Sequence, residues 1–390
     1  MKIAYFDHSA TTPVDKRVLK EMLPYFSEKF GNATSIHTLG RQAYEAVEKA
    51  RQRIAGQLNC ESNEIIFTSG STESNNLVLK GIIKALRNGR KMHIITTAIE
   101  HDAILEPCAE LEQEGIDVTY LPVKGNGVVD INDLKKAIRD DTILVSVMYA
   151  NNEVGSIQPI EEIGKLLRAQ KRKIYFHTDA TQAVNALECD VKKLGVDYLS
   201  LSGHKIYGPK GVGILYIKNK SPLKGIQLGG HQERNLRSGT LNVAGIVGLG
   251  KAVELAGKER AKNNKKIEKL RNVLIKGILK NIPETILNTD IENSLPSHAH
   301  FSFLWTEGES ILFELDFKGV EVSTGSACAS GSLEPSHNLL AMGITPEVAH
   351  GSVRFSLGKE NTAEEIKKAI KILPGIIAKL RKMNPLYKKN

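Results

Sequence analysis

Between about residues 60 and 220 the chain repeats one pattern, and that pattern restricts the fold more than any other feature. Short runs rich in β-branched and aromatic residues alternate with longer runs of helical period. EIIFT (64–68), MHIITT (92–97), DVTYLPV (117–123), TILVSVMYA (142–150), KIYFHTD (173–179) and DYLSLS (197–202) read as strands. STESNNLVLKGIIKALRNG (71–89), INDLKKAIRD (131–140) and IEEIGKLLRAQ (160–170) read as helices between them. Nearly continuous apolar strands with helical crossovers indicate an α/β fold around a mostly parallel sheet covered on both faces. GVGILYIK (211–218) reads as a closing strand. In such a sheet ligands collect beyond the carboxyl ends of the strands.

Past residue 220 the alternation ends, and after Pro283 the character changes. A long helical region runs from about Asn242 to Ile282, as one bent helix or two, and Pro283 ends it. Strand HAHFSFL (298–304), helix ESILFELD (309–316), strand VEVS (320–323), a Gly/Ser-rich stretch, strand SVRFSLG (352–358) and a closing helix from Ala363 follow. These make a smaller α+β domain. The expected division is a large domain over residues 15–260, and a small one made of residues 1–14 with 261–390.

Charge and thiols narrow the function classes. The formal net charge is +9, but the excess is local: residues 258–280 hold nine Lys/Arg against two Glu. A solvated helical face explains this better than a nucleic-acid or membrane stripe. The four cysteines, Cys60, Cys108, Cys189 and Cys328, form no CxxC pair, which argues against a zinc ribbon or a thioredoxin-type motif. No metal site is expected, apart from cluster ligation by Cys328 during transfer. The N-terminus, MKIAYFDHSATTP, has no apolar secretory core, and the most apolar long window, VAGIVGLGKAVELAG, is interrupted by Lys251 and Glu254. A cytoplasmic protein with reduced thiols is expected.

Five of the strand ends carry polar residues suited to one site. In SLSGHKIYGPKG, Lys205 follows a small-residue turn at the end of an apolar strand, where partial desolvation lets an amine act as a nucleophile. The same stretch lacks the order of a P-loop. Asp179 ends KIYFHTD; it either caps the following turn or pairs with a cationic ring nitrogen. Gly70, Ser71 and Thr72 join a strand to a helix, as a phosphate seat requires and as many βα turns also do. His101 follows the strand MHIITT, as a structural residue or as a ring that stacks on a ligand. Asn151, Asn152 and Glu153 follow TILVSVMYA. The convergence of five such ends on one rim outweighs any single motif.

Across YFDHSATTP, GNATSIH, FTSGSTESNN, EHDAI, ANNEVGSIQPI, HTDATQ, SGHKIYGPKG, RSGT, STGSACASG and SVRFSLG the chain resembles the cysteine desulfurases of the IscS/NifS type. These are pyridoxal 5′-phosphate (PLP) enzymes of the aspartate aminotransferase fold, in the class V aminotransferase family. The resemblance implies that Lys205 holds PLP and later moves the substrate's Cα proton, with Asp179 on the pyridine nitrogen. It implies Gln182 and Asn152, rather than Asn151, at the phenolic oxygen, with Asn152 also near substrate. His101 would stack on the ring and assist proton transfers. Ser71, Thr72, Ser202 and His204 would hold the phosphate, joined by Thr240 of the neighbouring subunit in a homodimer, and Arg354 would clamp the carboxylate of L-cysteine.

By the same resemblance Cys328 is the nucleophile that takes sulfur as a persulfide, passing it to an iron–sulfur scaffold protein or a thiolation enzyme. Its neighbours in STGSACASGS are all small, as a mobile nucleophile requires and a packed core thiol does not. The other three cysteines are expected to be structural. Two departures stand out: Thr181 occupies a position where the family more often has a small apolar residue, and the chain stops at NPLYKKN. Selenocysteine lyase or another PLP aminotransferase is the alternative enzyme. A sulfur-assembly scaffold or nucleic-acid-binding protein is the non-enzymatic one.

Overall fold

The computed structural model describes residues 3–87, 89, 91–324 and 335–387. The strands, in chain order, are β1 (Ala4–Tyr5), β2 (Ile65–Thr68), β3 (His93–Thr97), β4 (Asp117–Leu121), β5 (Thr142–Ser146), β6 (Tyr175–Asp179), β7 (Tyr198–Ser202), β8 (Gly213–Ile217), β9 (Thr285–Leu287), β10 (His298–Phe303), β11 (Val320–Glu321) and β12 (Ser352–Ser356). Seven of them form one sheet in the order β2-β8-β7-β6-β5-β3-β4. Only β8 runs against its neighbours; β7, β6, β5, β3 and β4 are parallel. The strand read as closing is thus inserted between the edge strand β2 and β7.

Strand periodicity explains the two-sided burial. Ile65 and Phe67 enter one apolar cluster, while Ile66 between them enters another on the opposite face. The same split divides Ile95 from Ile94 and Val145 from Leu144. Helices Ser71–Leu86 and Asp102–Gln113 supply the second cluster, and Thr38–Leu58 the first.

A third cluster lies around the antiparallel sheet β12-β10-β9 and gathers Ala4 and Phe6 with residues from Ile267 to Ile377. The long helical region is a single helix, Val243–Asn281, capped by Asn242, whose side chain accepts from Gly245 N. Residue 260 falls inside it. Its first half (Ile246, Leu249, Val253) packs in the large sheet's core, and its second half (Leu274, Ile275, Ile278) in the third cluster. Among the described residues no helix is long and apolar enough to cross a membrane.

Candidate active site

One cleft of about 260 Å³ receives residues from the carboxyl ends of β2, β3, β5, β6 and β7. Ser71, Thr72, His101, Asn152, Asp179, Gln182, His204, Lys205 and Arg354 all line it. The rim expected from the strand pattern is therefore a real concavity, and Lys205 and Asp179 share it. Ser202 is buried beside it, close enough to Gly70 that a β-carbon there would sit 3.6 Å from Ser202 Oγ. Thr240 is exposed and is not among the lining residues. Cys328 lies outside the described residues.

At one end of the cleft, helix Ser71–Leu86 begins without any side-chain cap. Gly70, at φ 158° and ψ 179°, occupies a backbone region that residues with a β-carbon avoid. The helix's first N–H groups and its positive dipole end therefore lie beside the hydroxyls of Ser71 and Thr72, an arrangement that suits an anion. His204 completes this end. Burial, helped by Lys205 and Lys210, pulls its ring down to about 4, so it stays neutral and can donate a hydrogen bond without adding charge.

The Asp179 carboxylate is fixed twice. Oδ1 accepts from Thr181 N at 2.9 Å and Oδ2 from Asn75 Nδ2 at 2.7 Å. The turn-capping role leaves room for a ligand, since each oxygen keeps a second lone pair. The Nδ1 of His101 accepts from Ala103 N at 3.0 Å, capping helix Asp102–Gln113, and the residue also lines the cleft. Lys205 Nζ donates to the carbonyls of Ser9 (2.5 Å) and Ala10 (2.8 Å), and Gln182 Nε2 to Ser9 O at 3.1 Å.

Arg354, on β12, is buried; its Nη2 donates to Asp7 Oδ1 at 2.7 Å and its Nη1 to Asn152 O at 2.9 Å. Asn151 is committed to the fold. Its Oδ1 accepts from Glu153 N and Val154 N, and its Nδ2 donates to Ile99 O and Asn338 Oδ1.

Several contributors escaped the sequence reading. Asn75 had a signal, because it lies one helical turn beyond Ser71 on the same face. Ser9 and Ala10 had none, being 196 and 195 residues from the lysine they contact. Glu100 is a buried carboxyl whose Oε1 accepts from Thr97 Oγ1 and Met148 N, both at 2.8 Å. Desolvation pushes it up to about 8, so it is mostly neutral near pH 7.

The donors fit pyridoxal phosphate. Asn75 Oδ1, Thr181 Oγ1 and Arg354 Nε are buried polar atoms with no hydrogen-bond partner among the described residues, and all three residues line this cleft. Buried orphans cost about 1–3 kcal/mol each, so three in one cleft point to a polar ligand. The anion end, the carboxylate on β6 and the lysine amine match a phosphate, a ring nitrogen and an aldehyde in turn.

A family description, "Aminotransferase class-V", matches residues 4–369. The chain belongs to the class-V aminotransferase family. Its cofactor is pyridoxal 5′-phosphate. The chain is 52% identical over 381 residues to "Cysteine desulfurase IscS" of Dictyoglomus turgidum, covering 98% of this chain and 96% of that protein. It is 52% identical over 388 residues to the protein of the same name from Methanosarcina thermophila, covering 100% and 95%. A solved structure titled "NIFS-LIKE PROTEIN" superposes with a TM-score of 0.92 at 42% identity, covering 97% of this chain and 100% of that one.

Proposed function

We propose that this family member is an L-cysteine desulfurase that converts L-cysteine to L-alanine and holds the sulfur as a persulfide on Cys328. The observation that carries the reading is the shared cleft: an amine, a carboxylate and a guanidinium line one concavity, in a chain similar over nearly its whole length to proteins named cysteine desulfurase.

Bound there, the cofactor supplies an electron sink next to the substrate's α-carbon. The chain's own residues do the rest. Lys205 Nζ would hold the aldehyde end and would carry the α-proton. Asp179 would accept a hydrogen bond from the protonated ring nitrogen and keep that proton on the ring, its own orientation set by Asn75 and Thr181. Ser71, Thr72, Ser202 and His204 would hold the phosphate. Gln182 and Asn152 would bond the phenolic oxygen, and His101 would stack on the ring and assist proton movement. Arg354 binds the substrate carboxylate through a planar fork that a point charge does not reproduce.

Cys328 Sγ then attacks the substrate's sulfur. A new S–S bond forms, the C–S bonding pair stays with carbon, and that carbon takes a proton and leaves as alanine. The persulfide's terminal sulfur passes to an iron–sulfur scaffold protein or another thiol acceptor.

A homodimer completes the phosphate site through the partner subunit's Thr240. What supports it is an exposed apolar set on residues 23–36 and 228: Ile36 is 90% exposed, Leu228 80%, Phe30 65% and Phe26 62%. Large apolar side chains exposed in such number favour a protein interface.

The test is to incubate the holoenzyme with L-cysteine and map each thiol by mass spectrometry. One extra sulfur atom is expected on Cys328, and Cys328→Ser is expected to lose both persulfide and alanine. The other thiols do not substitute, because burial pushes Cys60, Cys108 and Cys189 each up to about 12 and suppresses the thiolate. Sulfur on another cysteine, or wild-type turnover by Cys328→Ser, would overturn the assignment. Lys205→Ala is expected to lose the visible band of the lysine-bound cofactor.

A further inference from the structure

Ser9 is tied at every polar atom. Its N–H donates to Ser356 Oγ at 2.9 Å, and its carbonyl accepts from both Lys205 and Gln182. Its hydroxyl lies 2.7 Å from His298 Nε2. His298 is itself held in place. It sits on β10, the central strand of the three-stranded sheet, opposite Ser356. Its Nδ1 is 3.0 Å from Ser297 Oγ, and its Nε2 is 3.3 Å from Asn152 O. Gly155, at φ +81°, makes room for it: a β-carbon at Gly155 would come within 2.7 Å of His298 Cβ.

The ring's proton follows from these partners. Asn152 O only accepts, so Nε2 carries hydrogen, and Nδ1 accepts from the Ser297 hydroxyl. Burial, with Arg354 nearby, keeps the imidazole neutral, pulling it down to about 3. A neutral ring thus links the segment carrying Ser9 and Ala10 to the loop carrying Asn152. It lies two hydrogen bonds from Lys205 Nζ.

We propose that His298 is a positioning residue for the catalytic amine: through Ser9 it fixes the two backbone carbonyls that receive Lys205 Nζ whenever that amine is not bonded to the cofactor. The inference rests on the reading of Lys205 as the cofactor-holding lysine. Two carbonyl oxygens stabilise an amine's charged form over its neutral form. Their alignment therefore sets how readily the released amine gives up and retakes a proton, and the contacts of His298 set their alignment. A histidine that merely filled space would leave that proton chemistry unchanged.

Two pH profiles test this on the full-length chain. One is the acetylation rate of Lys205 by a small amine-reactive reagent after cofactor removal, read by peptide mass spectrometry. The other is deuterium exchange at the α-carbon of L-alanine by the holoenzyme, which needs no sulfur transfer. Ser9→Ala and His298→Ala are expected to move both midpoints to lower pH by several tenths of a unit. The double variant is expected to go no further, since both changes break one link. His298→Gln, whose side-chain amide can donate from the Nε2 position, is expected to stay near wild type.

If His298→Ala does not fold, Ser9→Ala and His298→Gln still decide the matter. A folded Ser9→Ala with both wild-type profiles overturns the proposal. A failure of the underlying reading looks different: Lys205→Ala would then keep the visible band and the deuterium exchange.

Discussion

Arg354, proposed to bind the substrate carboxylate, also serves the fold with the same guanidinium. Its Nη2 holds Asp7 of the N-terminal segment and its Nη1 holds Asn152 O, while Nε has no partner among the described residues. Five N–H donors in a planar fork allow this, since two are committed and three remain. Truncating one partner of a buried, hydrogen-bonded charge pair costs about 2–5 kcal/mol. Arg354→Ala is therefore expected to raise KM for L-cysteine at least tenfold, a tenfold change being about 1.4 kcal/mol. Steady-state alanine release against cysteine concentration measures it; an unchanged KM would remove Arg354 from substrate binding. Arg354→Lys should recover little, because an ammonium cannot bridge Asp7, Asn152 O and a carboxylate together. Asp7→Asn, which loses only the charge partner, is expected to have a smaller effect.

At the level of elements, the edge of the large sheet depends on a strained turn. Glu233, Arg234 and Asn235 all have positive φ, at 42°, 56° and 64°. Three consecutive residues of this kind persist only where their surroundings hold them. Here the hold is the Glu233 carboxylate, which takes both Arg51 terminal nitrogens, at 2.7 and 2.9 Å, and the N–H of Phe67 at 2.7 Å. Arg51 also donates to Ile65 O, so the pair caps the open side of edge strand β2. Glu233→Ala leaves a buried guanidinium and a strand N–H unpaired. A loss of about 3–5 kcal/mol is expected, read as a lower urea midpoint, and a loss below about 1 kcal/mol would contradict the capping role. The sheet itself was legible because alternation and strand-end polarity are local patterns; Asp179 and Lys205 stood out that way, while Asn152 was one of three polar residues after its strand and only the resemblance singled it out. Glu233 and Ser9 were not, because their partners lie 182 and 196 residues away and nothing near them in sequence marks the contact. The long helix was ambiguous because a run without proline between Asn242 and Pro283 fits one rod or two. The structure shows one helix whose two halves pack in two different cores.

For the whole molecule, buried titratable groups set the pH range of stability, and their signs oppose. His8, His177 and His204 are pulled down to about 4, and His298 and His300 to about 3, each chiefly by burial. The unfolded chain takes up these protons below its ordinary histidine value of 6.5, while the folded chain refuses them. Their contribution to stability is therefore complete above pH 6.5 and falls as pH drops toward 3–4, by about 1.4 kcal/mol per unit for each group. Glu100 acts the other way. Its carboxyl is pushed up to about 8, so the folded chain keeps a proton that the unfolded chain releases near 4.5, and stability is lost as pH rises through 8. Glu153 and Glu360 are raised by burial too and add to that trend. Between 4.5 and 6.5 the two sets partly cancel, with the histidines more numerous. Below 4.5 the histidines are unopposed, and Asp15, held down by Arg17, joins them as it protonates. The stability maximum is expected near pH 6–6.5, with a steep acid limb and a shallow alkaline one. Glu100 alone accounts for about 2 kcal/mol between pH 6.5 and 8. Glu100→Gln carries the neutral form at all pH values, so its urea midpoint should change much less over that interval than the wild-type midpoint. Equal alkaline limbs in the two proteins would mean that Glu100 is already ionised in the fold, and the buried neutral carboxyl beside the cleft would have to be given up.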